Sequence, residues 1–122
     1  AVGTAGDLVV ATTSRRQVVV YDASGRRLWT WAADELVIAA PVAVPAGGEG
    51  TADIVVAARS GTVTRLDART GTPRWSQSLG ADARAELVVD GVVLVADERE
   101  RLTALDAATG AVLWRVEPGL VV

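Results

Sequence analysis

The residues of this sequence with the most chemical potential are its carboxylates: fifteen Asp and Glu stand beside twelve Arg, and His, Cys and Lys are absent. That inventory removes imidazole and thiolate ligands, thiol and imidazole catalysts, disulfides and Schiff-base chemistry from the chain. What remains is acid–base work by paired carboxylates, or cation binding by a carboxylate cluster. Three aspartates recur in one setting: Asp22, Asp67 and Asp106 are each followed by Ser or Thr, then glycine, then Trp. No second carboxylate accompanies them, so paired-carboxylate catalysis lacks its partner group. An Asp at fixed distance from a glycine is instead a turn former, because its side chain accepts hydrogen bonds from amides two or three residues ahead. The run Asp97, Glu98, Arg99, Glu100 and Arg101 alternates in sign and reads as a solvated hairpin. No catalytic, cofactor-binding or metal-ligating residue is assigned.

The elements that hold these aspartates form a repeat. VVVYDASGRRLW, TVTRLDARTGTPRW and LTALDAATGAVLW share an apolar strand, Asp, a small turn and a strand carrying Trp. The repeat positions are Asp22, Gly25 and Trp29, then Asp67, Thr70, Gly71 and Trp75, then Asp106, Thr109, Gly110 and Trp114. The aspartates lie 45 and 39 residues apart, the period of a propeller blade of four strands. The three glycines supply positive φ for chain reversal. Each Trp offers surface worth on the order of 4–6 kcal/mol on burial, before ordering costs, and so staples one blade to the next. Its ring nitrogen requires an acceptor, which a carbonyl of the adjacent blade supplies. Trp31, two residues beyond Trp29, shares its sheet face and extends that packing.

Alternation and turn punctuation predict an all-β chain with strands near 7–13, 17–22 and 26–32, then 36–44, 53–59, 62–67 and 73–78, then 84–89, 92–97, 101–106 and 112–117. The expected units are three blades of four antiparallel strands at residues 1–33, 34–80 and 81–118. This strand list leaves the first blade without an opening strand before Asp7. The segment 119–122, GLVV, then reads as the start of a strand completing a neighbouring blade. Three blades span too little arc to close a ring and would expose strand edges. The expected partner is accordingly a second copy placed head to tail, giving a six-bladed homodimer, or else a complementary propeller fragment.

LDAATGAVLW resembles the tryptophan-docking motif of the pyrroloquinoline-quinone-like propeller repeats; LDARTGTPRW is similar to it, and YDASGRRLW is a shortened relative. The resemblance implies a half-propeller of that family, with an extracytoplasmic location. It also implies either a non-catalytic scaffold, such as envelope assembly factors and ligand-sensing domains, or a quinoprotein dehydrogenase. In the dehydrogenases the quinone stacks on a disulfide of adjacent cysteines and carboxylates near the axis hold calcium. This chain has no cysteine and no such cluster. GTAGDLVVAT and EGTADIVVAA also look like the approach to the second blade strand in FG-GAP-like repeats. In those repeats an aspartate-rich loop binds calcium, whereas PAGGEGTAD keeps only Glu49 and Asp53.

The remaining composition narrows the function classes. The net charge of −3 and the scattering of arginines among acids give no nucleic-acid footprint. The apolar runs at 36–44 and 87–95 are interrupted by Pro41, Asp90 and Gly91 and are too short to span a bilayer as helices. Methionine is absent, and no leader of basic start and apolar middle is visible, which fits a fragment. An arginine-rich, lysine-free composition points to a GC-rich, bacterial origin. The expected function is a non-catalytic, cofactor-free scaffold that binds a protein or small ligand. The alternatives are a dehydrogenase fragment and a designed model of propeller growth.

Overall fold

The computed structural model describes residues 2–37, 40–45 and 52–117. These residues form twelve strands and, among them, no helix. The strands are β1 (Val2–Ala5), β2 (Leu8–Thr12), β3 (Gln17–Tyr21), β4 (Arg27–Ala32), β5 (Val42–Pro45), β6 (Ala52–Ala57), β7 (Thr62–Asp67), β8 (Pro73–Ser78), β9 (Ala83–Val89), β10 (Val92–Asp97), β11 (Leu102–Asp106) and β12 (Val112–Val116). They pair as three antiparallel four-stranded meanders, β1 to β4, β5 to β8 and β9 to β12. The first strands β1, β5 and β9 adjoin one another, so the three sheets stack like propeller blades about a common inner edge.

Two sequence expectations are corrected. Blade 1 possesses its opening strand: Val2 to Ala5 pair with Ala11 to Leu8. Gly6, at φ +60°, closes the hairpin tightly enough for a four-residue strand to fit before Asp7. The position that GLVV was expected to fill is thus occupied by β1, and residues 119–122 themselves lie outside the described residues. The second correction is to the strand at 36–44. Among the described residues its ladder runs over Val42–Pro45, while Val37 makes an isolated bridge with Ala58; residues 38–39 lie outside them. Pro41 lacks the N–H that would continue the ladder.

The core is divided between the blade interfaces. Leu8, Val10, Val18 and Val20 of blade 1 meet Ile54, Val56, Leu66 and Ala68 of blade 2. Val55, Ala57 and Val63 on the opposite face of blade 2 meet Val93, Val95, Leu105 and Ala107 of blade 3. This explains the unbroken run IVVA in β6: neighbouring side chains point to opposite faces, and both faces are covered. Burial of each Val or Leu contributes about 1.5–3 kcal/mol. Trp31 packs against the first cluster.

Candidate functional site

The three turn aspartates act on their own loops. Asp22 Oδ1 accepts the Ser24 amide at 3.0 Å, the Ser24 hydroxyl at 2.6 Å and the Arg26 amide at 3.0 Å. The Ser24 hydroxyl bond, followed by the Arg26 amide, holds the Asp22 carboxyl below its ordinary range. Asp67 Oδ1 accepts the Arg69 amide and Asp106 Oδ1 the Ala108 amide, both at 2.8 Å. Thr70 Oγ1 accepts the Thr72 amide and Thr109 Oγ1 the Ala111 amide, each at 3.3 Å. Gly71 and Gly110 close the turns at φ +77° and +79°, and Gly25 closes its turn at +89°.

Each turn is also one half of a joint between blades. Trp29 Nε1 donates to Ala68 O at 2.8 Å, and Trp75 Nε1 donates to Ala107 O at 2.9 Å. The glycine of the receiving turn lies under the ring: a Cβ on Gly71 would come 2.7 Å from the Trp29 ring, and one on Gly110 would come 2.6 Å from the Trp75 ring. Glycine is therefore required there for close approach as well as for φ. Gln77 adds a bond from Nε2 to Gly110 O at 3.0 Å. Gly25 has no atom within 4 Å of the place its Cβ would occupy, and Trp114 is 46% exposed.

Between blades 2 and 3 opens a groove of about 780 Å³ lined by Asp53, Arg65, Arg74, Val88 and Asp106 among others. Arg65 Nε meets Asp53 Oδ2 at 2.7 Å with both side chains nearly inaccessible, and Arg65 Nη1 donates to Ala107 O at 2.7 Å. The same carbonyl therefore receives Trp75 and Arg65. Arg74 reaches Asp53 as well, and donates from Nη2 to Asp67 Oδ2 at 3.1 Å. Asp53 is thus neutralised by two guanidiniums, which is how its burial is tolerated. Among the described residues no group of three carboxylates is placed to hold a metal ion. Glu49 lies outside the described residues.

Several of these groups escaped the sequence reading. Arg65 sits mid-strand in TVTRLD, where alternation puts it on the same face as Val63, and that pattern is the signal that could have found it. The charged run at 97–101 is corrected in part: Glu98, Arg99 and Glu100 are exposed, but Asp97 is 5% exposed. Its Oδ1 accepts the Arg99 and Arg101 amides, and its Oδ2 pairs with Arg101 Nε at 2.9 Å. It is therefore a fourth Asx-type turn, where Glu100 takes the positive φ at +61°. Glu86 on β9 has both carboxyl oxygens buried without a hydrogen-bond partner, and that burial pushes its carboxyl well above the usual range.

Known proteins share this architecture. BamB from Moraxella catarrhalis superposes with a TM-score of 0.80 at 25% identity over 96% of this chain. Quinohemoprotein alcohol dehydrogenase from Comamonas testosteroni gives 0.75 at 23% over 95%, and the computationally designed Ika8 protein gives 0.81 at 19% over 94%. The last two likenesses concern the fold alone. The chain spans 35%, 20% and 35% of those three chains respectively. None of the curated proteins matches the sequence. Residues 43–120 match the family described as outer membrane protein assembly factor BamB. With well over half of its length inside that match and its blades stapled by docked tryptophans, the chain belongs to this PQQ-like β-propeller repeat family.

Proposed function

We propose that the chain is a non-catalytic propeller module, an extracytoplasmic scaffold that binds other proteins or a small ligand through its blade faces and loops. Its units are the three blades at 1–33, 34–80 and 81–118, and Asp22, Asp67 and Asp106 with the motif Thr, Gly and Trp residues are its framework. One observation carries this reading: the motif's aspartates hold their own turn amides and its two covered tryptophans bind neighbouring carbonyls, so the repeated polar groups serve structure. Membership of a family described by outer-membrane protein assembly supports a protein partner.

The competing reading, a piece of a quinoprotein dehydrogenase, draws on the shared fold of the alcohol dehydrogenase. Against it stand the absence of cysteine and the arginine pairing of Asp53 and Asp97. The test combines two measurements on the purified chain: surface-plasmon binding to outer-membrane assembly proteins, and dye-linked alcohol oxidation with pyrroloquinoline quinone and calcium added. Micromolar binding with no quinone-dependent turnover is expected. Turnover without protein binding would replace the scaffold with the dehydrogenase.

A further inference from the structure

Equivalent places in the two joints are not chemically alike. Leu8, Val20 and Leu28 of blade 1 stand where blade 2 carries Asp53, Arg65 and Arg74, as counted from the turn aspartate, its pairing and the tryptophan that follows. Leu8 and Val20 fill the joint between blades 1 and 2, at 5% and 0% exposure. Between blades 2 and 3 the same places are polar, and they border the groove of about 780 Å³. On the far wall of that groove Ala108 stands where blade 2 carries the larger Arg69, two residues past the turn aspartate.

Packing alone does not ask for this chemistry. A buried ion pair replaced by apolar groups of similar volume is often neutral for stability, and the neighbouring joint uses that apolar solution. What the polar set supplies is free hydrogen-bonding capacity beside a hollow. Arg65 engages Asp53 through Nε and Ala107 O through Nη1, and its Nη2 bonds no described residue. Arg74 engages Asp53 and Asp67 through Nε and Nη2, and its Nη1 bonds no described residue. Across the groove, Asp106 Oδ1 holds the Ala108 amide, while Oδ2 accepts no bond from a described residue.

Charge then selects the ligand. Asp53 and Asp67 balance Arg65 and Arg74, so the blade 2 wall is neutral, and the blade 3 wall carries Asp106. A phosphate dianion would meet no net positive charge. A carboxylate needs only N–H donors, and guanidiniums suit its planar geometry. Asp106 requires an N–H from the same ligand. A carboxylate with an amide N–H beside it is the end of a peptide, and Val44 and Val88 offer its last side chain an apolar bed.

We propose that the groove between blades 2 and 3 captures the free C-terminus of a protein partner ending in an apolar residue. The carboxylate bonds Arg65 Nη2 and Arg74 Nη1, the last amide donates to Asp106 Oδ2, and the last side chain lies on Val44 and Val88. The proposal rests on the scaffold reading and names the part of the partner that this joint recognises.

The test titrates the full chain into a fluorescein-labelled pentapeptide ending in Ala-Leu, read by anisotropy. Micromolar binding of the free acid is expected, with at least tenfold weaker binding of the same peptide as its C-terminal amide. Arg74 is half-exposed, so Arg74→Gln leaves the Arg65 pair in place and should abolish the preference for the acid. Asp106→Asn keeps an Asx turn and should weaken acid and amide alike. Circular dichroism checks that both variants fold. Equal affinity for acid and amide, or binding indifferent to both substitutions, would overturn the proposal. So would the absence of peptide binding, or displacement by isocaproate as effective as by the unlabelled peptide, which would make the groove a site for small acids. An outer-membrane assembly protein that binds Arg74→Gln as well as wild type would overturn the groove and leave the scaffold reading standing.

Discussion

Glu86 and Asp22 show how the same carboxyl group is turned in opposite directions by its surroundings. At Asp22, hydrogen bonds from Ser24 and Arg26 favour the ionised form, so its contribution to stability is present above the usual carboxylate range and is lost as pH falls through its lowered value. At Glu86, burial without a partner favours the protonated form. The folded chain then binds the proton more tightly than the unfolded one. Its contribution is complete below the unfolded value and is lost as pH rises through the raised one. Urea denaturation across pH should therefore show wild type and Glu86→Gln diverging upward from about pH 4. The variant should be the more stable of the two at neutral pH, because its neutral amide spares the folded chain the burial of a charge or the uptake of a proton. A pH-independent difference would show that Glu86 does not titrate in this way.

Among the elements, blade 2 differs from its neighbours in chemistry though not in topology. Two residues before the turn aspartate stand Val20, Arg65 and Ala104, and across from Asp67 lies Asp53 where blade 3 has Val92 opposite Asp106. Removing one member of such a buried pair strands the other's charge. Asp53→Ala should therefore cost about 3–5 kcal/mol in chemical denaturation, less whatever the half-exposed Arg74 loses to water. The double change Asp53→Val with Arg65→Leu makes blade 2 resemble blade 3 and should be close to neutral. Retention of the full loss in the double variant would locate the effect in the Arg65 bond to Ala107 O rather than in the stranded charge. The strand pattern of this blade was legible from IVVA and TVTRLD. The ion pair was not, because Asp53 and Arg65 lie twelve residues apart and meet only through the β6–β7 register.

At the scale of the whole molecule, stability is a sum of blades and joints, as in other repeat arrays. Trp75 carries the joint between blades 2 and 3 through its bond to Ala107 O and its ring on Gly110. Trp75→Ala should cost about 2–3 kcal/mol, below the range for a fully buried Trp because the ring is only half-buried. It should also broaden the urea transition as blade 3 unfolds ahead of blades 1 and 2. A single transition with unchanged slope would mean that the Arg65 and Gln77 bonds suffice to couple the blades.

The sequence by itself determined the repeat, through a motif that recurs after 45 and 39 residues, and also the turn geometry and the place of each tryptophan, since these last depend on residues within about ten positions of one another and on local hydrogen bonding. It also indicated eleven of the twelve strands. It missed β1 because four residues, VGTA, carry too little alternation to register as a strand until a partner in β2 is paired with them. Only the tertiary structure decided which carbonyl each indole reaches, why Asp53 and Asp97 are buried, and that Trp114 and Gly25 remain uncovered. These are contacts between blades, and the distance across a joint is set by how sheets stack, which no local pattern encodes.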